Sequence, residues 1–118
     1  MSILNEIVSH GNTGFDPRRR TPNTVRCADG YTLSVIAGEG CYCTPRPDRH
    51  GGFGHTPGGY PGPYTHVEVG FPSAQPEPWD RWREFCGSPD KPTGTVYAYV
   101  PVELVRELVA AHGGEVAS

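Results

Sequence analysis

The stretch TVRCADGYTLSVIAG, residues 24–38, alternates apolar and polar side chains on either side of a turn pair. Val25 and Cys27 lead in, Asp29-Gly30 supplies two positions suited to positive φ, and Tyr31, Leu33, Val35 and Ala37 lead back. That pattern predicts an antiparallel hairpin with one face turned to a core. A single hairpin cannot bury that face alone, so the rest of the chain must supply partners.

Two further stretches have the same period of two. YTHVEVGF, residues 64–71, sets Val67, Val69 and Phe71 on one side and His66, Glu68 and Gly70 on the other, a third strand. TGTVYAYV, residues 93–100, puts Val96, Ala98 and Val100 on one face and Tyr97 and Tyr99 on the other, a fourth. Between them PEPWDRWREFC spaces Trp79, Trp82 and Phe85 or Cys86 at helical intervals, with Pro78 suited to a first turn and Gly87 and Pro89 ending the run. PVELVRELVAAHGG continues from the fourth strand. Pro101 opens a helix there, Leu104, Val105, Leu108 and Val109 form its apolar stripe, and Gly113 stops it. Ile3, Leu4, Ile7 and Val8 predict a short N-terminal helix that docks on the core or on a partner.

The expected architecture is α+β: a small, mainly antiparallel sheet of about four strands with two helices packed on one face, plus the short N-terminal helix. The chain of 118 residues fits one domain. Residues 1–24 read as an N-terminal extension, with the Gly/Pro/Arg-rich segment 12–24 as an exposed connector. Residues 25–118 form the α+β domain, which contains a Gly/Pro-rich loop at 44–63. A loop of that length is usually functional or disordered.

The net charge of −3 gives no basic footprint, so nucleic acid is not an expected partner. Residues 64–118 hold four basic and eight acidic residues, net −4, most simply a solvated helix surface. The start, MSILNEIVSHG, lacks the basic and apolar regions of a secretory signal, and no run approaches the roughly 18 apolar residues of a membrane span. A soluble, intracellular protein with no membrane partner is the expectation, and Cys27, Cys41, Cys43 and Cys86 are then free thiols or metal ligands.

CYCTPRPDRHGGFGH, residues 41–55, raises the metal question directly. Cys41 and Cys43 project to the same side of an extended backbone, and His50 and His55 complete a possible Cys2His2 zinc set. Paired zinc cysteines are normally two to four residues apart, so ordinary thiols are preferred and zinc is the alternative. Nucleophilic catalysis fits less well: Cys86 falls at a helix C-terminus, where the dipole opposes a thiolate, and Cys27 faces the core. The loop GGFGHTPGG has no Gly-Lys-Ser/Thr ending for a phosphate. Its aromatic neighbours Phe53, His55, Tyr60 and Tyr64 instead suggest a contact surface on a pliable backbone. Trp79 and Trp82 belong either to that interface or to the core, and helical spacing favours the core.

The segments DGYTLSV, YCTPRP, GPYTHVEVGFPS and SPDKPTGTVYAYVPVELVRELVAAHGG, from about residue 25 onward, resemble a family of small tailed-phage and prophage proteins. The resemblance implies a viral gene, a shared fold and residence in the cytoplasm of the bacterial host, and it brings no catalytic residues with it. Residues 1–24 lie outside it, and DRHGGFGHTPGGYP is longer than the corresponding turn. The functional expectation is a non-enzymatic phage accessory protein that binds a host or phage protein, such as an inhibitor of a host antiviral defence complex in the manner of anti-CRISPR proteins. A zinc-stabilised structural or virion-associated module is the alternative. The sequence leaves the oligomeric state open.

Overall fold

The computed structural model describes residues 2–13, 22–48, 50, 56–58 and 60–116. In chain order these form α1 (Ile3–His10), β1 (Thr24–Arg26), β2 (Thr32–Ile36), β3 (His66–Gly70), α2 (Trp79–Trp82) with a 3-10 turn at Arg83–Phe85, β4 (Val96–Pro101) and α3 (Val102–Ala111). The four strands make one antiparallel sheet in the order β1-β2-β3-β4, so the α+β class holds.

The hairpin pairs Val25 with Leu33 as its alternation requires. Its turn differs from the expected two-residue pair. Only Gly30 takes a positive φ, of 94°, and Gly30 N–H donates to the Cys27 carbonyl while Cys27 N–H donates to that of Tyr31. The loop is therefore Ala28-Asp29-Gly30, a three-residue turn that needs left-handed backbone at one position. Asp29 Oδ1 steadies it by accepting the Tyr31 N–H at 2.9 Å.

Two other local expectations fail, both where period two breaks. β3 ends at Gly70, and Phe71, which alternation sets on the side of the buried Val67 and Val69, takes φ 47° and is 60% exposed. On β4 the register runs Val67 to Val100 but Val69 to Tyr97, so two steps on β3 face three on β4. The extra residue is a β-bulge. It puts Tyr97 and Val100, which simple alternation sets on opposite faces, in the core together and leaves Val96 and Ala98 only half-buried.

The buried faces of the strands share one cluster with Leu4 and Ile7 of α1, Trp82 of α2 and Val102, Leu104, Val105, Leu108 and Val109 of α3. Trp82, fully buried, meets Tyr97 edge-on at 5.7 Å. The expected α2 is shorter than its spacing suggests: Pro78 is its N-cap rather than part of the first turn, and the chain tightens to 3-10 after one turn. α3 stops as expected, with Gly113 N–H and Gly114 N–H donating back to Ala110 and Val109.

Residues 2–13 are tied to the sheet, with Leu4 and Ile7 of α1 docked on the core. Asn12, the buried polar side chain among the described residues, donates through Nδ2 to the Val35 carbonyl at 2.9 Å and accepts the Ala37 N–H at 3.0 Å. It thereby continues the β1 edge past the start of that strand. At the other end of α1, the Glu115 carboxylate accepts the Ser2 hydroxyl at 2.7 Å and the Ile3 N–H at 2.6 Å, a cap supplied from the opposite terminus. No helix among the described residues is long and apolar enough to cross a membrane.

Candidate interaction site

The chain leaving β2 turns sharply at Gly38, where φ is 135° and a Cβ would lie 2.5 Å from Thr13 Oγ1. Cys41 and Cys43 then both bury their sulfurs: Cys41 Sγ lies 3.2 Å from Thr13 Oγ1, and Cys43 Sγ 3.4 Å from the Gly38 carbonyl oxygen. With both thiols inward, the residue between them faces out. Tyr42 is 44% exposed.

Tyr42 is held by its backbone on both sides. Its N–H donates to Glu68 Oε1 on β3 at 3.0 Å, and its carbonyl accepts the Tyr99 N–H at 3.1 Å. Tyr99 reaches it because the β4 bulge turns that N–H away from the ladder, at the cost of φ 54°. Left-handed backbone costs an ordinary L-residue roughly 1–2 kcal/mol, and for a bulky side chain it is a marked outlier. The Tyr42 and Tyr99 rings stand 5.9 Å apart at 53°, Tyr99 being 39% exposed. The Arg46 guanidinium lies 5.2 Å from the Tyr42 ring centre. Beside them opens a cleft of about 440 Å³ lined by Glu39, Gly40, Arg46, Pro47 and Asp48.

The residues singled out from sequence are distributed differently. Tyr64 is 2% exposed and packs in the core, and Trp82 is wholly enclosed, so neither offers a contact surface; the apolar interior competes for both rings and takes them. Tyr60 is half-buried, edge-on to Tyr64 at 5.6 Å, with its hydroxyl donating to the Pro63 carbonyl. Trp79 is half-buried against Tyr97 at 6.4 Å. Phe53 and His55 lie outside the described residues.

Of the zinc set, Cys41 and Cys43 are buried while His50 is exposed, and no three His, Cys, Asp or Glu side chains among the described residues gather around one point. Burial pushes the Cys41 thiol up to about 11 and raises Cys43 and Cys27 as well. These thiols are protonated at neutral pH, the opposite of an activated nucleophile.

Tyr42 and Tyr99 were not legible as a pair. The alternation of Cys41 and Cys43 does place Tyr42 opposite them, but nothing in TGTVYAYV announces the bulge that brings Tyr99 alongside. A separate polar cluster closes the C-terminal end of α3. His112 stacks on Tyr31 at 3.8 Å and meets Asp29 Oδ2 through Nδ1 at 2.6 Å. The Tyr31 N–H and then His112 hold the Asp29 carboxyl below its ordinary range.

Comparison with protein-family models, curated proteins and solved structures finds no match to this chain.

Proposed function

We propose that this chain works by binding another protein through the Tyr42–Tyr99–Arg46 face, as a non-enzymatic phage accessory protein whose target is a host antiviral defence complex. The phage setting rests on the sequence resemblance. The binding role rests on Tyr99: a bulky aromatic held in left-handed backbone whose ring stands beside the exposed Tyr42 ring at the surface rather than in the core. Such strain gathers at sites of recognition. Tyr and Arg are the residue types that anchor protein interfaces, and the hydrogen bonds to Glu68 and from Tyr99 hold Tyr42 in place before any partner arrives.

The test is site-specific photocrosslinking in host cells, with a benzophenone amino acid at Tyr99 and, as control, at Glu103 on the exposed face of α3. A discrete adduct from Tyr99, absent from Glu103 and lost with Tyr42→Ala, is the expected result. Equal labelling from both positions, or none from Tyr99, overturns the reading.

A further inference from the structure

The segment that follows α3 reaches back across the molecule as a strap. Val35 N–H donates to the Asn23 carbonyl and Cys27 N–H to that of Tyr31, so Arg26 and Ala28, one residue out of phase, turn their backbone groups away from β2. The strap takes those groups. Ala28 N–H donates to the Gly114 carbonyl and Val116 N–H to that of Arg26, both at 2.9 Å, an antiparallel bridge centred on Cys27 and Glu115. Glu115 then lays its carboxylate on the first turn of α1, accepting from Ser2 Oγ, Ile3 N–H and Leu4 N–H at 2.7, 2.6 and 3.4 Å.

The strap thus lies in a groove shaped for an extended peptide, with a strand edge on one wall and helix N–H groups on the other. Beside Glu115 the groove widens into a cavity of about 230 Å³ bordered by Asn5, Arg106, Val109 and Ala110. The strap's own hold is slight. Among the described residues it rests on two backbone hydrogen bonds and one carboxylate, and Val116 is 39% exposed, so it anchors nothing in the core. It leaves α3 through Gly113 and Gly114, at φ 92° and 88°, a pair free to change φ because glycine takes either sign.

Going beyond the Tyr42–Tyr99 reading, we infer that this strap is a displaceable occupant and that the groove takes an extended, carboxylate-bearing segment of a partner protein. Such a segment reproduces both backbone bonds and the cap on α1, and it sets further side chains in the cavity that the strap only borders. Strand addition of this kind draws affinity from main-chain hydrogen bonds and selectivity from an anchored side chain, here the acid that the α1 N-terminus favours.

Two measurements on the full chain test the inference. Amide hydrogen exchange reads the opening: the Ile3, Ala28 and Val116 amides all donate in strap contacts, and they are expected to exchange together, faster than Leu33 and Val35 and with little dependence on urea. Exchange of the three only at the rate of those β2 amides overturns it. The blocked hexapeptide GGEVAS, the sequence of residues 113–118, is then titrated while the Ile3, Leu4 and Ala28 amides are followed by NMR. It is expected to shift all three saturably, and Glu115→Gln, which strips the strap of its charge, is expected to tighten it by about two- to fivefold. The same peptide with glutamine in place of glutamate is expected to bind more weakly by a similar factor. No shift at these amides, or equal binding of the two peptides, overturns the inference, and both results are read in the parent chain whether or not the variant folds. Tyr99 crosslinking does not depend on the strap, so the two readings fail separately.

Discussion

Replacing Asn12 by alanine tests how the candidate face is positioned. The Asn12 amide is the hydrogen-bond partner of the Val35 carbonyl and the Ala37 N–H, at the point where β2 gives way to the segment carrying Tyr42. Asn12→Ala leaves both groups buried without a partner. Each such group costs about 1–3 kcal/mol, so a loss of about 2–6 kcal/mol is expected, a large part of the roughly 5–15 kcal/mol that holds a domain of this kind. In urea this lowers the midpoint by about 1–3 M at an unchanged slope of roughly 2 kcal/mol per M. Asn23→Ala is the internal control. Its side chain bonds Ser34 Oγ at the exposed surface, and its removal should shift stability by less than about 0.5 kcal/mol. If Asn12→Ala matched that control with the slope preserved, the amide clamp would not be what fixes the end of β2, and the account of how Tyr42 is placed would fail.

Glu115→Gln weakens the cap on α1 by removing the charge that faces its N-terminal N–H groups; a loss of about 1 kcal/mol in thermal unfolding is expected, and an unchanged melting temperature counts against the tie between the termini. The Asp29 carboxyl is depressed in the folded chain, so its contribution is present at neutral pH and disappears as pH falls through that lowered value. Asp29→Asn should therefore lower stability at pH 7 and flatten the acid limb of the stability profile, converging with the parent in strong acid. Of the four thiols only Cys86 is not buried, so Ellman's reagent should label one cysteine quickly in the native chain and the rest on unfolding. Cys86→Ser should remove the fast phase. Two or more fast thiols would contradict the burial of Cys27, Cys41 and Cys43.

The parts of the fold that follow from local alternation were legible. Val25, Leu33, Val35, Val67 and Val69 point inward as their period of two demands, and the α3 stripe from Leu104 to Val109 is buried as its period of 3.6 demands. Gly30 and Gly113 mark the turn and the helix stop because left-handed backbone there suits glycine. The failures occur where a long-range contact overrides the local period. β4 accommodates one extra residue against β3, and that insertion brings Tyr97 and Val100, which alternation sets on opposite faces, into the core together and turns Tyr99 toward Tyr42, a residue 57 positions earlier.

The stretch CYCTPRPDRHGGFGH divides in the same way. Its alternation was readable, and Cys41 and Cys43 do face one side, but whether that side meets an ion or the core depends on what lies beneath it. Beneath it are Thr13 and Gly38, brought there by α1 and the Asn12 clamp. The sequence by itself determined the strand and helix periods, the hairpin, the helix stops and hence the α+β class, because these depend on side-chain direction over a few neighbouring residues. Tertiary structure alone decided that Trp82 and Tyr64 fill the interior while Tyr42 and Tyr99 face outward. A ring's burial is set by competition for one enclosed volume, and that volume exists only once the sheet, its bulge and the helices have closed around it.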